Sequence, residues 1–306
     1  MIFWNVFIQV LLPLLIMFGA GWLLDRIRLL DLGTLVKLTV NLFVPAFIFY
    51  ELVNAKINSA LALQIVLFTI AVVVVLFILG EIIGRALGYT KNRKRSLQVA
   101  GMFYNSANYG IPTMHLAFPG ISEVVQVFVI LVQNVGNFTL GVFLFSSTHN
   151  PGWKALGHMF RQPSVWAVML ALLTRATGWQ VQNIQWIWMP VDYFHRGLVG
   201  IALITLGVQL SQTRVKIPLR HLAWPVGLRL IGGPAVGFLL AWAFGFKGEI
   251  RDILVLSTSF PTAVNTALIA HEFKTDYEYA AATVFYSTLC SMGTVTVLIA
   301  FLKMSG

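Results

Sequence analysis

With 306 residues, 58% of them hydrophobic and only 10% charged, the chain lies far from soluble domains, in which about a quarter of residues are charged; it reads as a polytopic membrane protein. The formal net charge of +10 does not argue for nucleic acid, because most basic residues fall in short loops between apolar runs, a distribution that orients a membrane protein. The single cysteine, Cys290, lies within an apolar run, which excludes a disulfide framework and any CxxC metal or redox motif.

Apolar runs near the 20 residues needed for a helical span fall at roughly 5–24, 33–52, 60–82, 97–118, 122–146, 163–179, 187–211, 222–245, 252–271 and 279–302. Ten spans are therefore expected, joined by loops too brief to hold a soluble domain. The first run reads as a span and not as a cleaved leader, since Met1 to Gln9 carries no positive charge and Arg26 and Arg28 follow the apolar stretch. There is neither a glycine at position 2 nor a C-terminal cysteine box to signal lipidation.

Orientation follows from the basic residues of alternate loops. One set holds thirteen: Arg26, Arg28, Arg85, Lys91, Arg93, Lys94, Arg95, Lys154, Arg161, Arg214, Lys216, Arg220 and Lys274. The other holds six: Lys56, Arg175, Arg196, Lys247, Arg251 and Lys303. Both termini are expected outside the cytoplasm, and with five spans per half the sixth enters from the opposite side to the first. The halves, 1–150 and 151–306, would then be inverted.

The fourth run contains Tyr104-Asn105-Ser106-Ala107-Asn108-Tyr109-Gly110-Ile111-Pro112. Proline lacks an N–H and crowds the carbonyl four residues back, so Pro112 is expected to free the Asn108 carbonyl and open the helix. A freed carbonyl at membrane depth must be buried in protein or face a watery cavity. The ninth run carries a second such place, Phe260-Pro261-Thr262-Ala263-Val264-Asn265. Two interrupted helices, one per half, are the pattern of a secondary transporter. Sliding the sequence by 157 positions superposes Asn108 on Asn265, with nine identities over sixty positions. The prolines do not coincide: Pro112 follows its asparagine by four residues and Pro261 precedes its own by four.

Half-helix N-termini present free N–H groups and about half a positive charge, so two of them meeting at mid-membrane favour an anion. Asparagine adds hydrogen bonds to a carboxylate without adding charge, and neither break has an acidic residue beside it. A small organic anion is the expected cargo. Membrane asparagines also tie helices together, and that role competes for Asn105, Asn108 and Asn265. In span five Gln133 and Asn137 share a helical face next to Asn134, either completing the pocket or packing. Ser287, Ser291 and Thr294 make a similar face in span ten, where close helix approach is the simpler role.

Ionisable residues inside a membrane are functional suspects. Arg229, ahead of Gly232-Gly233-Pro234, is the foremost, as a partner for the anion or for Glu81 in span three; snorkelling to the interface is its other reading. Glu81 itself reads as an interfacial ion pair with the basic loop. Asp192, His195 and Arg196 at one end of span seven, and His115, His271 and Glu272 at the ends of the broken helices, are candidate proton carriers or solvated termini.

The ten spans, the Asn-Ser-Ala-Asn-Tyr-Gly-Ile-Pro motif at 105–112 and Phe-Pro-Thr-Ala-Val-Asn at 260–265 resemble the auxin efflux carrier family, which includes plant auxin exporters and bacterial permeases for malonate, malate or similar acids. The resemblance implies an all-α integral membrane protein of two inverted five-helix repeats, related to the bile-acid/sodium symporter-like fold. In that fold, helices four and nine are broken and cross at the substrate site. It implies a scaffold from about 1–55 and 163–215 and a moving domain from about 60–146 and 220–302, working as an elevator, and a homodimer formed through the scaffold helices. By position Asn105, Asn108, Gly110, Pro112, Pro261, Thr262 and Asn265, with Gln133 and Asn137, would form the substrate site. The plant carriers' long central loop is missing, since only about 147–162 separates spans five and six, the short form expected of the inner membrane of a prokaryote.

Proton or sodium coupling stays open. The carboxylate that plant members place in the third helix is missing, because 65–78 is apolar apart from Thr69. Sodium bound by amides and freed carbonyls would lack a nearby carboxylate. An enzyme is not expected: HExxH, DxxxD and GxSxG are all missing and the six histidines sit scattered at span ends. No cofactor or metal is expected. The alternatives to a carrier of small organic anions are a membrane sensor that binds an organic acid without moving it, and a sodium-coupled symporter of the bile-acid type.

Overall fold

The computed structural model describes residue 4 and residues 7–55, 58–146, 163–213, 217–273 and 275–305. Lys56, Lys154, Arg161, Arg214, Lys216 and Lys274 of the orientation count, and the loop at 147–162, lie outside the described residues.

Regular structure among the described residues is helical throughout. Seven helices are long and apolar enough to cross a membrane: α1 (Phe7–Arg28), α2 (Leu32–Asn54), α3 (Ser59–Ala86), α6 (Ile121–Phe145), α8 (Gln185–Gln212), α9 (Leu219–Ala243) and α12 (Tyr277–Met304). The other three expected spans contain no continuous helix of that length. The fourth divides into α4 (Lys91–Met102) and α5 (Ile111–Ala117), the sixth has α7 (Pro163–Thr177), and the ninth divides into α10 (Gly248–Ser257) and α11 (Val264–Glu272).

Several spans are not uniform α-helix. Turns of π-helix occupy Phe7–Leu11, Thr39–Phe43, Ser106–Gly110 and Leu228–Gly232, and each ends two residues before a proline: Pro13, Pro45, Pro112 and Pro234. A fifth, Asn137–Gly141, has no proline after it. In an α-helix proline forfeits one bond and collides with the carbonyl four residues back. A π turn carries one extra residue and moves that carbonyl aside, so the ring fits and the helix continues.

This corrects the expectation for Pro112. The fourth span is interrupted at residues 103–105, between α4 and the π turn, while Pro112 sits in the first turn of α5. Pro261, by contrast, lies inside the non-helical stretch 258–263 that separates α10 from α11.

α1 packs along α8, and α2 packs against α7 and α8. The α1–α8 contact is close enough that a Cβ on Gly21 would collide with the Ile204 carbonyl, and one on Gly207 with the Phe18 carbonyl. Two apolar cores result. Val44, Phe47, Ile48, Ile111, Ala171 and Leu198 belong to the smaller, which joins α2, α7 and α8 to the α5 side of the fourth span. The larger gathers α3, both halves of the interrupted spans, α9 and α12, and Phe68, Leu97, Leu254 and Phe260 are fully buried within it.

Candidate functional site

The two interruptions meet. Tyr104 and Thr262 form an isolated antiparallel bridge, in which the Asn105 N–H donates to the Pro261 carbonyl at 2.8 Å and the Ala263 N–H to the Phe103 carbonyl at 3.0 Å. Backbone groups that an unbroken helix would satisfy internally are thus paired across the junction. Side chains complete the pairing: the Thr262 hydroxyl donates to the Ala100 carbonyl at 2.9 Å, and the Thr262 N–H donates to Ser287 Oγ at 3.1 Å.

Arg229 closes the junction from below. Its guanidinium is fully buried and donates from Nη1 to the Gly101 carbonyl at 2.6 Å and from Nη2 to the Thr258 carbonyl. Those carbonyls sit at the C-terminal ends of α4 and α10, where helices leave unpaired acceptors and partial negative charge. The Tyr104 ring lies 4.8 Å from the guanidinium carbon and adds a cation–π contact. Arg229 is therefore a clasp on both broken helices. It meets neither expected partner: Glu81 is engaged by Arg85, Lys94 and Gln98 at 2.6, 2.7 and 2.9 Å, as an interfacial cluster, and Arg229 does not line the cavity. Arg175 does the same service for α2, donating to the Leu52 and Ala55 carbonyls at 2.8 and 2.6 Å.

Above the junction lies a small, partly open cavity of about 40 Å³. Asn105, Asn108, Gln133, Asn137 and Asn265 line it, so it gathers five of the nine residues expected at the site. Asn134, Tyr104, Ser106 and Ala107 add to the wall, and Val36, Val40 and Val44 of α2 close it from the opposite side. That valine face recurs every four residues on one helix. Nothing polar marks it in the sequence.

The remaining four expected residues lie outside the cavity. Pro261 and Thr262 are consumed in the bridge. Pro112 is buried in α5. A Cβ on Gly110 would meet Gln126 Nε2 at 2.7 Å and Phe260 Cε2 at 2.8 Å, so its place is a close approach to the second interruption.

Hydrogen bonding fixes which way two of the amides point. Asn105 Oδ1 accepts from the Asn108 N–H at 3.1 Å, capping the helix that follows, which leaves Asn105 Nδ2 buried with no acceptor. Gln133 Oε1 accepts from the Tyr104 N–H at 3.0 Å, leaving Nε2 likewise without one. The N–H groups of Ala107, Val264 and Asn265 stand in the first turns of the helices that follow the two breaks, where a helix supplies no acceptor of its own. The cavity lining contains no Asp, Glu, Lys or Arg. Asn137 Oδ1 in the same wall is an acceptor without a donor, so the lining offers two unused amide donors, one unused acceptor and no charge, which suits a polar ligand rich in acceptors.

The candidate proton carriers stand elsewhere. His195 Nε2 is 2.7 Å from Glu51 Oε1, with the His195 ring stacked on Tyr50 and Phe47. Arg196 pairs with Asp192 at 2.9 Å and His115 with Glu123. The side chains of His271 and Glu272 lie outside the described residues. His195, Asp192, Arg196 and His115 do not line the cavity.

Known proteins give the same direction. The family described as membrane transport protein matches residues 146–299, half of the chain. An uncharacterized transporter of Methanothermobacter thermautotrophicus is 23% identical over 93% of this chain and 94% of its own. A putative malonate transporter of Rhizobium meliloti is 25% identical over 89% and 87%, and a probable auxin efflux carrier component 5b of Oryza sativa subsp. japonica is 24% identical over 43% and 37%. These are transporters and not enzymes. The chain, a multi-pass helical membrane protein with two interrupted spans joined at a donor-lined cavity, belongs to the membrane transport protein family, that of the auxin efflux carriers.

Proposed function

We propose that this protein is a secondary carrier of small organic anions, carboxylates with the dicarboxylic acids foremost, and that the cavity above the Tyr104–Thr262 bridge holds the anion. One observation carries the reading: Asn105 Nδ2 and Gln133 Nε2 are buried donors without acceptors, beside the helix N-termini at Ser106 and Val264, in a wall free of carboxylates. A carboxylate satisfies both donors at once, and the helix N-termini beside them add favourable potential. A relative carrying the name putative malonate transporter supports the same cargo class.

The working fold is ten spans in two inverted repeats, with spans four and nine crossing. The bridge itself supports this. Under the 157-residue offset Thr262 corresponds to position 105 and Pro261 to position 104, so Tyr104 pairs with the equivalent of Asn105, and Asn105 with the equivalent of Tyr104. The two breaks thus meet within one position of the correspondence that the offset sets. Alternating access then moves the interrupted spans and their neighbours, about 60–146 and 220–302, as an elevator against a scaffold from about 1–55 and 163–215. A homodimer through the scaffold, the cytoplasmic membrane of a prokaryote, and both termini on its outer side complete the reading.

The test is uptake of radiolabelled malonate by proteoliposomes, competed by a panel of mono- and dicarboxylates and indole-3-acetate, with and without sodium and at two pH values. Time-dependent accumulation that a carboxylate competes supports the carrier. Binding without accumulation would make the protein a sensor, and failure of every carboxylate to compete would refute the anion site. Dependence of the rate on sodium or on pH identifies the coupling ion.

A further inference from the structure

We infer that the groove between α3 and the π turn of α9 is a binding site for one anionic phospholipid. The groove is open, holds about 430 Å³ and is lined by Ile83, Ala223, Trp224, Gly227, Leu228, Ile231 and Gly232. Its walls are apolar, and its floor is low because a Cβ built on Gly227 would meet nothing within 4 Å. From Ala223 to Gly232 the helix rises roughly 13 Å at 1.5 Å per residue, the depth of most of one leaflet's acyl chain.

Apolar walls alone do not select a lipid, since every bilayer tail is equally apolar. The selection comes from the mouth. Arg220 and His221, directly before Ala223, are exposed; Arg220 Nε donates to His221 Nε2 at 3.2 Å, and Arg220 has no carboxylate partner among the described residues. Arg85 on α3, 75% exposed, lies about 200° round the helix from Ile83 and pairs with Glu81 on the α4 side, so Arg220 is the cation at the mouth. Trp224 is 52% exposed at the level where indole rings favour the headgroup region. A phosphate headgroup held by Arg220 beside Trp224, with its tail along Leu228 and Ile231, uses every one of these features. Arg220 belongs to the cytoplasmic set of the orientation reading, which puts the site in the inner leaflet.

The location has a mechanical consequence. The π turn Leu228–Gly232 presents Ile231, 70% exposed, to the groove and sends Arg229 inward to the carbonyls of both interrupted helices. A lipid seated outside this turn bears on the clasp inside it, so occupancy should affect transport rate without touching the anion cavity.

Native mass spectrometry of the detergent-purified protein titrated with phosphatidylglycerol or phosphatidylcholine tests the site directly and is independent of what is transported. We expect one phosphatidylglycerol bound at least tenfold more tightly than phosphatidylcholine. Arg220→Gln should reduce that preference to within twofold, and Gly227→Leu, which fills the floor, should abolish the tight site while Arg220 remains. Equal binding of the two lipids by the wild type, or an unchanged preference in both variants, overturns the assignment. Glycerol 1-phosphate competing as well as the whole lipid would assign Arg220 to a free phosphate and likewise overturn it.

Discussion

Asn105 does two things with one amide, and the two can be separated. Its oxygen caps the helix after the first interruption through the Asn108 N–H, while its nitrogen is left for a ligand. Asn105→Asp keeps the cap, since aspartate caps helix N-termini as well as asparagine, but replaces a donor with a negative charge in the cavity. The expected outcome is a melting temperature within about 2 °C of wild type and loss of malonate uptake. Retained uptake would show that the amide is only a tie between helices. Arg229 is the reverse case, a charged residue whose work is structural. Arg229→Gln leaves at least one of the Gly101 and Thr258 carbonyls unpaired, each costing about 1–3 kcal/mol, and Arg229→Lys keeps the charge but lacks the planar fork that reaches both. Thermal unfolding should fall in the order wild type, Lys, Gln; a stable Gln variant that fails only in anion affinity would return Arg229 to the substrate.

At the level of elements, what the sequence disclosed depends on whether the physical cause leaves a mark in residue type. The apolar runs, the interrupted fourth and ninth spans and the presence of Asn108 and Asn265 in one cavity wall were legible, because length, amides and prolines are visible one residue at a time. The position of the first break was not: a proline ends an α-helix but is absorbed by a π turn, and four of the prolines here follow one. Arg229's partners were equally hidden, since carbonyl acceptors are the same at every residue. Val36, Val40 and Val44 look like any lipid-facing stripe until the opposite wall is known. The break itself should thus survive loss of Pro112. Pro112→Ala is expected to retain most malonate uptake, whereas Gly207→Leu, which drives a side chain into the Phe18 backbone, should separate α1 from α8 and lower the melting temperature by about 5 °C or more. The opposite ranking would place the critical irregularity at Pro112 after all.

For the whole molecule, the division into a fixed and a moving part makes a statement about the cavity that neither residues nor elements make alone. Its valine wall comes from α2, on the proposed scaffold, and its amide wall from the interrupted spans and α6, on the proposed moving domain. If transport is an elevator, these walls slide past one another in every cycle, and a covalent link between them must stop it. Cys290 is the single native cysteine, so a Cys290→Ser background accepts Val40→Cys and Ala107→Cys, one on each wall. Treatment with a short bifunctional thiosulfonate should abolish uptake in the double variant and spare each single variant, and a reductant should restore it. A link within one wall, Val36→Cys with Val40→Cys, controls for blockage of the cavity by reagent alone. Were the cross-wall link to form, as judged by mass spectrometry, and uptake to continue, the two walls would have to travel together; the cargo site could stand, but the motion carrying it would not be a slide of one domain along the other.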